Sequence, residues 1–207
     1  MLAKYVMFRT SSLLPLNNVM QQLVLPPEQI AWHSLEEAAA AASTCQKCGL
    51  CQSRANVVFS AGNAQSKLMI VGEGPGQRED ETGSPFVGPA GQLLDKILAA
   101  VQLQRQADVY ICNIVKCRPP QNRVPTQVEI DACRPFLEAQ IKFVQPKIIL
   151  LAGSTAVQAV LQIKEPISKL RGKWFDYENG AKVMPIFHPS YLLRNDDKRV
   201  GSPKWFM

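Results

Sequence analysis

Four short apolar runs, over residues 67–73, 108–115, 147–153 and 183–188, punctuate this chain. Each is β-branched or leucine-rich and ends in glycine or a polar turn, the pattern of a buried strand. Between them the periodicity changes. Leucine and isoleucine recur at helical spacing over residues 90–101, and Thr126 with Glu129 forms a capping-box pattern that opens a helix running towards Val144. Ser154 is placed to cap a helix after the third strand, and residues 28–43, with their alanine run, predict a helix near the start. Strands alternating with helices predict an α/β fold, a parallel sheet with helices on both faces. In such sheets ligands bind beyond the carboxyl ends of the strands. Residues 72–80, 113–120, 153–154 and 188–194 should therefore meet at one edge.

Composition narrows the class without naming a reaction. The chain has 207 residues, 46% hydrophobic and 19% charged, enough for one core and too balanced for wholesale disorder. No run of about 18 apolar residues predicts a membrane span. Lys and Arg number 23 against 17 acids, a net charge of +6 that favours a polyanionic partner. Residues 1–27 carry no acid and end in Pro26-Pro27, so they read as a disordered N-terminal extension before the single domain of 28–207. The chain stops at Trp205-Phe-Met207, where a further helix is expected, so a truncated C-terminus is the reading there.

Three constellations carry chemistry. Gly72-Glu-Gly-Pro-Gly-Gln-Arg-Glu-Asp80 follows a strand as a tight loop whose N–H groups can approach a ligand, with acids alongside. It lacks the Gly-Lys-Ser/Thr of a Walker loop and the spacing of the dinucleotide fingerprint. His188-Pro-Ser-Tyr-Leu-Leu-Arg194 places a histidine directly after a strand, whereas His33 has no such context and reads as surface. Leu192, near Arg194, Lys198 and Arg199, is a candidate DNA-facing wedge. Finally, Cys45, Cys48, Cys117 and Cys133 supply four thiolates, enough for zinc or an iron–sulfur cubane, and spacing alone does not choose between them. Cysteines so closely set imply a metal and a reducing, cytoplasmic compartment rather than disulfides.

Six motifs in order make a resemblance. Gly72-Glu-Gly-Pro-Gly-x-x-Glu-Asp80, Pro85-Phe-Val-Gly-x-Ala-Gly91, Tyr110-Ile-x-Asn113, Lys116-Cys-Arg-Pro-Pro-x-Asn-Arg123, Leu170-Arg-Gly-Lys173 and His188-Pro-Ser-x-Leu-Leu-Arg194 together closely resemble the family 4 uracil-DNA glycosylases of prokaryotes, over residues 45–204. The resemblance implies a three-layer α/β/α sandwich around a central parallel sheet and a structural 4Fe–4S cluster held by Cys45, Cys48, Cys117 and Cys133. Cys51 and Cys112 are then free thiols. It implies that Phe86 stacks on a flipped uracil, Asn113 reads its pyrimidine edge, Glu73, Gly74 and Pro75 form the loop beneath the base, and His188 lies near uracil O2.

The implied activity is monofunctional excision of uracil from single- or double-stranded DNA by a monomer, leaving an abasic site. The loop position often held by a water-activating Asp or Asn is Gly74, so that task falls to Glu73, Glu79 or Asp80. Glu79 is also the candidate for excluding the thymine methyl. Lys116, Arg118, Arg123 and Arg194 are the expected phosphate contacts. Two other readings remain: a non-catalytic nucleic-acid-binding module with structural zinc or iron–sulfur, and a redox protein, for which the Gly72 loop and His188 motif would have no use.

Overall fold

The computed structural model describes residues 32–195. The N-terminal extension, the start of the helix expected from residue 28, Lys198, Arg199 and the chain end at Met207 lie outside them. Six strands form one sheet: β1 (Ala61–Gly62), β2 (Leu68–Gly72), β3 (Val109–Asn113), β4 (Ile148–Ala152), β5 (Phe175–Asp176) and β6 (Lys182–Ile186), in the order β1-β3-β2-β4-β6-β5. The four expected strands are the four central ones, and all pair in parallel. The sequence reading missed β1 and β5, two-residue strands that pair antiparallel at the two edges, so the sheet is mixed.

Helices cover both faces. Alternation along β2 sends Met69 and Val71 to one side and Ile70 to the other. On the first side they join Ala42 of α1 (Leu35–Ser43), Phe136, Leu137 and Ile141 of α5 (Gln127–Val144), and Val157 of α6 (Ser154–Leu161). On the second side Ile70 and Ile111 pack against Leu94 and Leu98 of α3 (Pro89–Ala100) and against Phe86. Two cores separated by a sheet make the α/β/α sandwich. Four shorter segments complete the helices: α2 (Gln77–Thr82), α4 (Arg105–Asp108), α7 (Ile167–Leu170) and α8 (Pro189–Arg194).

The capping signals were partly right. Thr126 Oγ1 accepts from Glu129 N, and the Glu129 carboxylate reaches back to Thr126 N at 2.7 Å. Helix α1 starts at Leu35, capped by Ser34, because that hydroxyl accepts from Glu37 N at 3.2 Å. Gly153, not Ser154, is the cap of α6: its φ of 95° is a conformation glycine tolerates, and it brings the chain against His188 Cβ. No helix among the described residues is long and apolar enough to cross a membrane.

Candidate active site

The carboxyl ends of β2, β3, β4 and β6 open into one cleft of about 630 Å³, lined by Glu73, Gly74, Pro75, Glu79, Phe86, Asn113 and His188 among others. The β2 and β3 ladder continues past its last paired residues, with Ile114 N donating to Gly72 O at 2.9 Å and Val115 N to Glu73 O at 3.2 Å. This fixes the Gly72 loop over Asn113. Neither Gly72 nor Gly74 has room for a side chain. A Cβ at Gly72 would overlap Asn113 Oδ1 and fall 2.6 Å from Phe86 Cζ, and one at Gly74 would fall 2.8 Å from Val115 Cγ2.

Asn113 is 2% exposed, and its Oδ1 is a buried acceptor with no partner among the described residues. An orphaned acceptor in a cleft wall costs stability and marks a place where a ligand donates. Phe86 is buried at φ 54°, with its ring beside that of His188, centroids 5.5 Å apart and planes at 28°.

His188 is the N-cap of α8 and is half-buried. Its Nδ1 accepts from Ser190 N at 3.1 Å and lies 2.8 Å from Ser190 Oγ. A backbone N–H can only donate, so the ring proton belongs on Nε2. Desolvation, helped by the charge of Arg194 and opposed by Glu79, pushes the imidazole down to about 4. With the folded value below the ordinary 6.5, this group's contribution to stability is full above pH 6.5 and is lost as the pH falls towards about 4. We expect ring nitrogen resonances of His188 to show a neutral Nε2–H tautomer throughout pH 5–8. A titration midpoint between 6 and 7 in that spectrum would contradict the assignment.

The three candidate carboxylates separate. Glu79 accepts from Gly76 N at 3.2 Å on one oxygen and from Val87 N at 2.9 Å and Gly88 N at 2.8 Å on the other. It lines the cleft with each oxygen holding backbone N–H groups, so it anchors the Gly76 and Val87–Gly88 segments from the cleft wall. Asp80 is buried and ties α2 to the cysteine segment by accepting from Ala55 N at 3.0 Å and Asn56 N at 3.3 Å. Glu73 commits one oxygen, Oε2, to the hydroxyl of Thr155, a residue the sequence reading passed over although its neighbours 153–154 were singled out.

Two expected DNA contacts need correction. Lys116 is 2% exposed, and its Nζ donates to Asn113 O at 2.6 Å and Gln140 Oε1 at 2.5 Å. It faces the interior, where it holds the chain behind Asn113, and cannot meet a phosphate. Leu192 is 6% exposed and packs inward, because the turn of α8 places it on the face opposite exposed Arg194. Arg118 is half-buried and bonded to Asn122. Arg123 is exposed, lines the cleft, and is paired by both terminal nitrogens with Glu129, whose carboxyl this guanidinium holds down at about 2.

Cys45, Cys48, Cys117 and Cys133 line a second cavity, against α5, and Cys51 lines it too. None of the six cysteines is in a disulfide, and Cys112 is apart from the rest, buried within β3. Among the described residues no three His, Cys, Asp or Glu side chains close round a single metal ion. Arg54, missed in the sequence though three residues beyond Cys51, donates from Nη1 to Cys117 Sγ at 3.2 Å and Cys45 O at 2.8 Å. Lys116 N donates to Cys133 Sγ at 3.3 Å. Burial pushes the Cys133 thiol up to about 11, a direction that a bound cation reverses. An all-sulfur set with N–H donors on the sulfurs suits an iron–sulfur cluster.

Comparison with known proteins agrees with this geometry. A family model described as the uracil DNA glycosylase superfamily matches residues 59–207. The type-4 uracil-DNA glycosylase of Thermotoga maritima is 51% identical over 152 residues, 73% of this chain and 79% of that protein. Its counterpart in Archaeoglobus fulgidus is 38% identical over 184 residues, 81% of this chain and 92% of that protein. The type-4 enzyme of Saccharolobus solfataricus is 42% identical over 158 residues, 73% of each chain. With its cleft at the carboxyl edge of the sheet and its motifs in order, the chain belongs to the type-4 uracil-DNA glycosylases.

Proposed function

We propose that the chain flips uracil out of DNA into the cleft and hydrolyses its N-glycosidic bond, with Asn113, Phe86, His188 and Glu73 as the working residues. The observation that carries this reading is the orphaned Asn113 Oδ1, a buried acceptor where uracil N3–H can donate. The same amide donates to O4. Cytosine presents an amino donor and a bare N3, and would leave buried groups unpaired. Phe86 offers a face for stacking, worth about 1–3 kcal/mol for a base. Glu79, anchored on the cleft wall by three backbone N–H groups, gives the fixed bulk that exclusion of a thymine methyl requires.

As the C1′–N1 bond breaks, the electron pair leaves with the base and negative charge gathers on uracil O2. His188 donates from Nε2 to that oxygen, and being neutral it needs no prior protonation. The sugar becomes an oxocarbenium ion. Glu73, with Oε2 held by Thr155, offers Oε1 to orient the water that adds to C1′; the proton that this water sheds is balanced by the one the departing uracil anion takes up through solvent. Arg118, Arg123 and Arg194 take the phosphates of a single or duplex strand. The cysteines form no disulfide, which suits a reducing cytoplasm. Incubating the protein with a labelled strand bearing one uracil and then with alkali should give cleavage at that base alone. An uncut strand would favour the binding-module reading.

Cys45, Cys48, Cys117 and Cys133 would hold a 4Fe–4S cluster, which when bound keeps the segments carrying these cysteines in shape; glycosidic hydrolysis transfers no electron. The gathering of the four thiols round one cavity, with N–H donors on the sulfurs of Cys117 and Cys133, supports this reading. Analysis of anaerobically purified protein should give about four iron and four sulfide per chain, retained on Cys51→Ser and Cys112→Ser. Stoichiometric zinc, or loss of iron on Cys51→Ser, would overturn this ligand set.

A further inference from the structure

We propose that Arg105 is a positioning residue for the base-stacking ring, acting through the backbone of Phe86; this rests on the reading of Phe86 as the stacking platform. Phe86 sits at φ 54°, in the left-handed region that a bulky side chain rarely enters. Such a conformation persists only where the surroundings over-determine it, and it gathers at functional sites. Here the surroundings can be named. Arg105, the first residue of α4, donates from Nη2 to Phe86 O at 2.6 Å and from Nη1 to Pro85 O at 3.1 Å. Its Nε donates to Asp95 Oδ1 of α3 at 2.7 Å, which fixes the plane of the fork.

The opposite side of the same loop is held by the opposite charge. Glu79 accepts from the next two backbone N–H groups, those of Val87 and Gly88. Two successive carbonyls on a guanidinium and two successive amides on a carboxylate leave the segment little freedom. Charge-assisted bonds of this kind are the stronger class, and the fork matches two parallel acceptors as an ammonium cannot. Gly91 completes the enclosure, since any Cβ there would overlap the Phe86 carbonyl. The edge of the ring is thereby set against Gly72 at the end of β2, and the ring lies beside that of His188. Arg105 is not itself among the residues that line the cleft, and its two bonds to this loop are to backbone oxygens, so its effect passes through Phe86.

A double-substitution cycle tests this. We would measure kcat/KM on a uracil-containing strand, Kd on the same strand without uracil, and Tm, for Phe86→Ala, Arg105→Gln, Arg105→Lys and each Arg105 change combined with Phe86→Ala. Phe86→Ala should lower kcat/KM by about 5- to 150-fold, the range of one base stack. Arg105→Gln should lower it by about tenfold, and Arg105→Lys by less, since lysine keeps the charge but not the fork. In the Phe86→Ala background both Arg105 changes should add less than about twofold, and Kd for the uracil-free strand should stay within twofold throughout. Losses that multiply, or a weakened Kd alongside a fall in Tm, would make Arg105 a general structural residue and overturn the proposal. If Arg105→Gln does not fold, the milder lysine variant reads the same cycle. Phe86→Ala with unchanged kcat/KM would instead overturn the stacking role itself.

Discussion

Replacing His188 with alanine should lower turnover by about 10²–10³ while affinity for uracil-containing DNA stays within about threefold. The charge that His188 meets on uracil O2 exists only as the glycosidic bond breaks, so its loss belongs to kcat and not to binding. The ring is already neutral, already in the tautomer that presents a donor, and held by Ser190, so none of its effect is spent on reorganisation. His188→Gln, which retains a neutral donor, should recover part of the rate. Because Nδ1 also caps α8, thermal midpoints must accompany the kinetics. An alanine variant whose defect is in Kd, with single-turnover rates within threefold, would remove His188 from the reaction.

Asn113 should fail differently. Its amide meets the base in the flipped ground state, and substitution leaves uracil N3–H and O4 buried without partners, at about 1–3 kcal/mol each. Asn113→Leu should therefore lower kcat/KM by about 10³, with weaker capture of the base as part of the loss. Asn113→Asp should lose uracil to a similar extent. A protonated acid at that position donates to cytosine N3 and accepts from the amino group, so release of cytosine should grow as the pH falls. Rates on paired uracil and cytosine strands across a pH series separate the two effects. Cytosine release that rises with pH, or a Leu variant retaining a tenth of the parent activity on uracil, would show that another group reads the base.

Much of this was legible in the sequence because it depends on local pattern. The central strands announced themselves by apolar runs, α5 by its capping box, and the cleft by the rule that such sheets bind ligands at their carboxyl edge. The resemblance named Phe86, Asn113 and His188, and the structure brings all three to one wall. What stayed hidden depends on partners far along the chain. Strands β1 and β5 are too short to show a period. Lys116 reads as a phosphate contact by charge alone, and only the position of Gln140, on α5, shows it to be internal. Leu192 reads as a wedge from its basic neighbours, whereas the turn of α8 decides which way it faces. The anchoring part of Glu79 is hidden because nothing in the sequence tells that Val87 and Gly88 return to it. Arg105 carries no motif at all.

The four proposed cluster ligands are distributed unevenly along the chain. Cys45 and Cys48 precede β1, while Cys117 and Cys133 follow β3, so the chain between Cys48 and Cys117 contains Glu73, Phe86 and Asn113. Joining those thiolates through one cluster closes a loop of roughly 70 residues, and by the reckoning that applies to a covalent bridge this removes about 4 kcal/mol of freedom from the unfolded chain. That is a large share of the ordinary stability of a domain, about 5–15 kcal/mol. Oxidative loss of iron from the proposed cluster should therefore show itself in the amount of folded protein, as a lower thermal midpoint and a smaller soluble yield.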